Sequence, residues 1–105
     1  EEREKEESNL MKQHQYRITV EHLADAKGNP SEYEAPLVFE TGNHDDILKI
    51  VELMKQRDDL DEREATSLAV GLKLFSEIML ENKGHALFSE FQPHFLDFMK
   101  KLKGK

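Results

Sequence analysis

The chain of 105 residues has no cysteine and no tryptophan. Without cysteine there is no disulfide scaffold, no thiolate nucleophile and no Cys-ligated zinc or iron–sulfur centre. Long hydrophobic runs are missing as well. The longest span three residues, such as Ile78-Met79-Leu80, whereas a membrane-spanning helix takes about twenty. Basic residues are in deficit, with 15 Lys and Arg against 22 Asp and Glu, and the net charge is −7. A general nucleic-acid binder carries the opposite surplus, because neutralising phosphates drives its affinity. There is no Gly-x-Ser-x-Gly elbow, no phosphate-binding P-loop and no dinucleotide-binding glycine pattern. The first residues are acidic, with no basic stretch leading into an apolar one, so no secretory signal is visible. These absences lead to an expectation of a cytoplasmic protein with no nucleic-acid partner, no membrane partner and no cofactor.

Composition changes at Met11. Residues 1–10 hold five Glu, one Arg, one Lys and a single apolar residue. Ten such residues have no apolar face, and helix nucleation is too costly for them to form a stable isolated helix. They read as an acidic leader or upstream extension, expected to be disordered, with the natural start at Met11. Residues 11–105 then read as a single domain, in keeping with their length.

Residues 14–23 alternate, with Tyr16, Ile18 and Val20 on one parity and Gln15, Arg17, Thr19 and Glu21 on the other. This is the period of a half-buried strand. Gly28-Asn29-Pro30 interrupts it. Residues 33–40 alternate again through Tyr33, Ala35, Leu37 and Phe39. Pro36 cannot donate to a ladder, so the second strand lies at an edge or begins after it. Asn43 reads as the N-cap of a helix, with Asp46 at its third position, and Ile47, Ile50, Val51 and Met54 follow at helical spacing. Asp61 and Glu64 form a capping-box pattern, flanked by Leu60 and Ala65 as a hydrophobic staple. The helix that follows is apolar round most of its circumference, so it is expected to be central, with Gly84 near its stop. Gly71 in its middle suggests close approach by another element. Leu87, Phe88 and Phe91 suggest one or two helical turns, and Pro93 suits the start of a last helix running to about Leu102. The expected fold is α+β: an N-terminal antiparallel β-hairpin packed on three α-helices, in the order ββααα. Its expected core includes Ile18, Val20, Leu37, Phe39, Ile47, Ile50, Val51, Leu68, Leu72, Phe75, Met79, Phe91, Phe95 and Met99.

Several segments also resemble a family of short bacterial proteins catalogued only as a domain of unknown function. They are Met11-Lys12-Gln13-His14 running into Tyr16-Arg17-Ile18-Thr19-Val20, His44-Asp45-Asp46, the stretch from Leu68 to Phe75, and Phe98-Met99-Lys100-Lys101-Leu102. The resemblance covers about residues 11–104. It implies a bacterial origin and one small domain, and it brings no functional residue with it.

Five histidines raise acid–base or metal chemistry. The densest group is His44-Asp45-Asp46, but those two acids suit the first turn of a helix. His22 follows Glu21 at a strand end. No two histidines have the i, i+4 spacing of a helical metal pair, and no metal site is expected. A hydrolase or isomerase using His44 with Asp45 or Asp46, or His22 with Glu21, is the enzymatic alternative, and a metal-binding sensor is another. The acidic stretch Asp58 to Glu62 lacks the glycine and the terminal glutamate spacing of an EF-hand. The favoured reading is a non-enzymatic protein–protein interaction module that binds a protein partner or itself as a homodimer. Its candidate surface is the outward parity of the first strand, Gln15, Arg17, Thr19 and Glu21, together with the aromatic positions Phe88, Phe91 and Phe95.

Overall fold

The computed structural model describes residues 12–104. The leader at residues 1–10 and the boundary at Met11 lie outside the described residues. The fold is α+β. Strands β1 (His14–Val20) and β2 (Leu37–Asn43) come first. Helices α1 (Ile47–Met54), α2 (Glu62–Glu81), α3 (Ala86–Ser89) and α4 (Gln92–Lys103) follow. The chain divides between His44 and Asp45 into two compact units.

In the first unit, β1 and β2 pair antiparallel without a bulge, Ile18 opposite Phe39 and Arg17 opposite Glu40. β1 ends at Val20, short of the expected Leu23, and β2 begins after Pro36, one of the two expected readings, but continues past Glu40 through Gly42 to Asn43. Asn43 therefore pairs with His14 and does not cap a helix. The cap falls to Asp46, whose carboxylate accepts the Lys49 N–H at 3.2 Å. The reason is the ladder: with Leu37 first on β2, seven residues of β1 find seven partners, and this takes the chain past the expected strand end.

The connection between the strands has a local structure of its own. Ala24 and Pro30 form an antiparallel bridge. Between them, Asp25 Oδ1 accepts the Lys27 and Asn29 N–H groups, each at 2.9 Å, and Oδ2 accepts the Asn29 amide at 3.1 Å. Gly28 closes the turn at φ +92°, in the left-handed region that a Cβ disfavours.

In the second unit, α2 starts with the expected reciprocal cap. The Glu64 N–H donates to Asp61 at 2.7 Å, and the Asp61 N–H donates to Glu64 at 3.1 Å. Lys73, half-way along α2, pairs with Asp45 ahead of α1 at 2.9 Å. Ile47, Val51 and Met54 of α1 are buried, as are Ala65, Ala69 and Met79 of α2. The described residues contain four helices where ββααα allows three. Pro93 supplies the reason: it has no N–H to donate to Ser89, so the i→i−4 ladder is cut there and the one-turn α3 stands apart from α4. Arg57, after α1, reaches the end of α4 and donates to the Leu102 carbonyl at 3.1 Å, one of the carbonyls a helix terminus leaves without an internal partner.

The core is smaller than expected. Ile47, Val51, Met79 and Phe95 are buried, and Ile18, Ile50, Leu68, Leu72 and Met99 are half-buried. Val20, Leu37, Phe39, Phe75 and Phe91 are exposed instead. Gly71 is exposed, and a Cβ placed there meets nothing within 4 Å, so close approach is not its role.

These backbone facts separate two glycines. Gly71→Ala removes a helix-interior penalty into open space and should stabilise the chain by about 1 kcal/mol. Gly28→Ala also meets open space but forces a Cβ into left-handed geometry, which should cost about 1–2 kcal/mol. Urea unfolding of both variants checks the opposite signs.

Candidate functional site

Three places bring side chains of chemical interest together. The first is the sheet. Tyr16, Ile18 and Val20 share a face with Leu37 and Phe39 through the register. Tyr16 and Ile18 are half-buried, whereas Val20, Leu37 and Phe39 are 55%, 61% and 41% exposed. The opposite face carries Gln15, Arg17 and Thr19, all exposed, with Val38 and Glu40. Arg17 bonds Glu40 through Nη2 at 2.7 Å and Nε at 3.2 Å. Gly42 leaves room on this face for glutamine side chains: a Cβ there would collide with Gln13 and lie 3.2 Å from Gln15 Nε2. Glu21 lies beyond the strand and is exposed. The structure thus keeps the four predicted β1 positions on the surface, the first three on one face.

The second place is the strand connection. His22 Nδ1 lies 2.6 Å from Ser31 Oγ, and the rings of His22 and Tyr33 meet edge-on at 5.2 Å. The Tyr33 N–H also donates to Ser31 Oγ, at 3.1 Å. A shallow depression of about 370 Å³ is lined by His22, Asp25, Pro30, Glu32 and Tyr33. His22 thus meets a serine hydroxyl where Glu21 was expected. Of the two acids in the depression, Asp25 is held by its turn, whose Asn29 backbone and side-chain donors, with further donors at Lys27 and Gly28, keep its carboxyl below the usual range against the opposing effect of burial. A nucleophilic serine needs a base and donors aimed at the developing oxyanion. Here the Ser31 N–H is spent on the Leu23 carbonyl and the Tyr33 N–H on Ser31 itself. The pair joins the two arms of the connection.

The other histidines have separate settings. His85 Nδ1 accepts the Leu87 N–H at 3.0 Å and so starts α3. His14 stacks on Tyr16 at 6.2 Å. His44 and His94 are exposed. Of the acids beside His44, Asp46 caps α1 and Asp45 pairs with Lys73. Among the described residues no group of three or more His, Asp or Glu is placed to hold a metal ion.

The third place is helical. Phe75 on α2 meets Phe88 at 6.2 Å, Phe91 at 5.8 Å and Phe95 at 6.2 Å, with interplanar angles of 64–70°. Such edge-on contacts are favoured by the ring quadrupole. The three predicted aromatics therefore do come together, around a fourth. Phe95 is buried inside the cluster, Phe88 is half-buried and Phe91 keeps an exposed edge. Beside it, a cleft of about 610 Å³ opens between α1, α2 and α4, floored by Ile50, Met54, Leu72, Met99 and Leu102. That volume is in the range of small-molecule sites. Two of the three cations that line it, Arg57 and Lys73, are already engaged, and Lys103 is the third. Asp59 bonds Arg57 at 2.7 and 2.9 Å, and Asp45 pairs with Lys73. The hydrogen bonds that Arg57 donates to Asp59 raise its guanidinium above its ordinary pKa, against partial burial, and the charges of Asp59 and Asp58 add to it. The cleft offers apolar area more than charge. No motif announces it in the sequence: its floor is an ordinary helical stripe on three separate segments.

The depressed carboxyl of Asp25 has a signed consequence. Its contribution to stability is fully present above the ordinary Asp value of about 3.9 and is lost as pH falls through the lower folded value. Asp25→Asn should therefore flatten the acid limb of the stability profile below about pH 4, as measured by denaturant unfolding between neutral and acid pH.

Set against known proteins, residues 14–104 match the family model described as a domain of unknown function with a solved structure, DUF3861. The chain belongs to this family. It is similar to a solved structure from Pectobacterium atrosepticum SCRI1043, titled as a protein of unknown function. The two share 35% identity and a TM-score of 0.75, over 89% of this chain and 99% of that one. No curated protein matches.

Proposed function

We propose that this member of the family is a non-enzymatic, bacterial and cytoplasmic protein-interaction module, itself among its ligands, and that its contact surface is the N-terminal sheet. The observation that carries this reading is the exposed apolar end of one sheet face, where Val20, Leu37 and Phe39 stand next to one another in the β1–β2 register. Contiguous apolar surface of this kind marks binding sites on small proteins. A two-stranded sheet is marginal in water without further cover, which a partner would supply. The bacterial origin is supported by the Pectobacterium relative. The cytoplasmic assignment is supported by the lack of cysteine and by the finding that no helix among the described residues is long and apolar enough to cross a membrane. The non-enzymatic character is supported by His22, which is tied to Ser31 on an open surface where the Ser31 and Tyr33 N–H groups are already engaged.

The test is a comparative capture from the native cell. The parent chain and a Leu37→Ser/Phe39→Ser variant, matched for helical signal and melting, serve as baits. A defined partner, or the chain itself, should be retained by the parent and reduced at least several-fold with the variant. Identical recovery with both baits would sink the proposal.

A further inference from the structure

β1 and β2 make a sheet of two strands among the described residues. β1 thus has one ladder of N–H and C=O groups on β2 and a second that meets no strand among those residues. Exposed edges are normally guarded by proline, by lysine or another charge, by a bulge, or by short length. β2 has such a guard in Pro36, immediately before Leu37. β1 has only a charge among these. It runs seven residues, HQYRITV, with no Pro and no Lys, and pairs one-to-one with β2 without a bulge. Its single Arg, Arg17, is drawn the other way, across β2 to Glu40 at 2.7 Å.

We infer that the outer edge of β1 pairs with β1 of a second copy of this chain, antiparallel about a twofold axis at Ile18, so that two sheets join as one of four strands. This rests on the proposed role of the sheet as a contact surface and names its occupant. Edge-on strand addition draws affinity from main-chain hydrogen bonds and specificity from the facing side chains, and a twofold contact must be self-complementary. The strand's own sequence selects the register. An axis at Arg17 sets two guanidinium groups directly opposite, which destabilises a pair. An axis at Thr19 overlaps only residues 18–20 of each strand. An axis at Tyr16 puts Ile18 against His14 and leaves Val20 beyond the overlap. With the axis at Ile18, residues 16–20 overlap fully: Ile18 faces its own copy, Tyr16 faces Val20, and Arg17 faces Thr19. Apolar residues then meet apolar ones, the aromatic and β-branched pair is a favoured one, and each Arg17 stays on its own Glu40.

The absence of native cysteine makes the register readable, since engineered thiols report alone. Full-length Arg17→Cys and Thr19→Cys chains are oxidised separately and as an equimolar mixture, and the parent chain is sedimented at high micromolar concentration. The expected result is a dimeric parent and a mixed 17–19 disulfide several-fold more abundant than either homodisulfide. A predominant homodisulfide at 19 would overturn the register. A dimer that forms none of the three disulfides would overturn the edge as the contact. A monomeric parent would overturn self-pairing, while the sheet-face reading would still be decided by capture with the Leu37→Ser/Phe39→Ser bait. Hydrogen exchange on the unmodified chain covers the case in which a thiol variant fails to fold. The amides among residues 16–20 that point away from β2 should lose protection on dilution, and protection independent of concentration would count against the pairing.

Discussion

The ladder between β1 and β2 is the constraint on which the first unit depends. Setting Ile18 opposite Phe39 fixes every other pair. It collects Tyr16, Ile18, Val20, Leu37 and Phe39 on one face and places Arg17 against Glu40 on the other. A shift of one residue would send each of these side chains to the wrong side of the sheet. The same ladder explains why Asn43 is a strand residue, why α1 starts three residues later than its sequence suggests, and why β1 has a second edge that meets no strand among the described residues.

The second unit is organised from α2. Its capping box fixes where the helix begins, Lys73 ties its middle to Asp45, and Phe75 gathers Phe88, Phe91 and Phe95 against it. Arg57 adds a contact of a different kind, between the segment after α1 and the final carbonyls of α4. Aromatic edges and one guanidinium hold α3 and α4 in place, which leaves room for the apolar cleft between α1, α2 and α4.

Local signals proved legible where their physics is local. Asp61 and Glu64 are three residues apart and cap α2 as their spacing demands. Pro36 stops β2 from starting earlier, and Gln92-Pro93 opens α4. Positions decided by distant partners were not legible. Nothing in the neighbourhood of Asn43 tells of His14, which takes it into the ladder, and nothing near His22 singles out Ser31 in place of Glu21. The core suffered most: Val20, Leu37 and Phe39 have the right parity for burial, yet parity says only which residues share a face and not whether anything covers it. That residues 15, 17 and 19 share an exposed sheet face was legible from their alternation, while the exposed apolar end of the other face came only with the structure.

The turn from Asp25 to Asn29 carries a consequence for the order of folding. Sixteen residues separate β1 from β2, and joining strands across such a gap costs closure entropy before any ladder bond repays it. The Asp25 turn and the Ala24–Pro30 bridge involve contacts only a few residues apart, which form fast and on their own. Once they have formed, the chain entering Leu37 already runs back towards Val20, and the remaining search is short. Asp25 and Gly28 would thus act chiefly on the folding rate, and the pairs at the far end of the ladder, His14 with Asn43 and Tyr16 with Thr41, on the rate of unfolding.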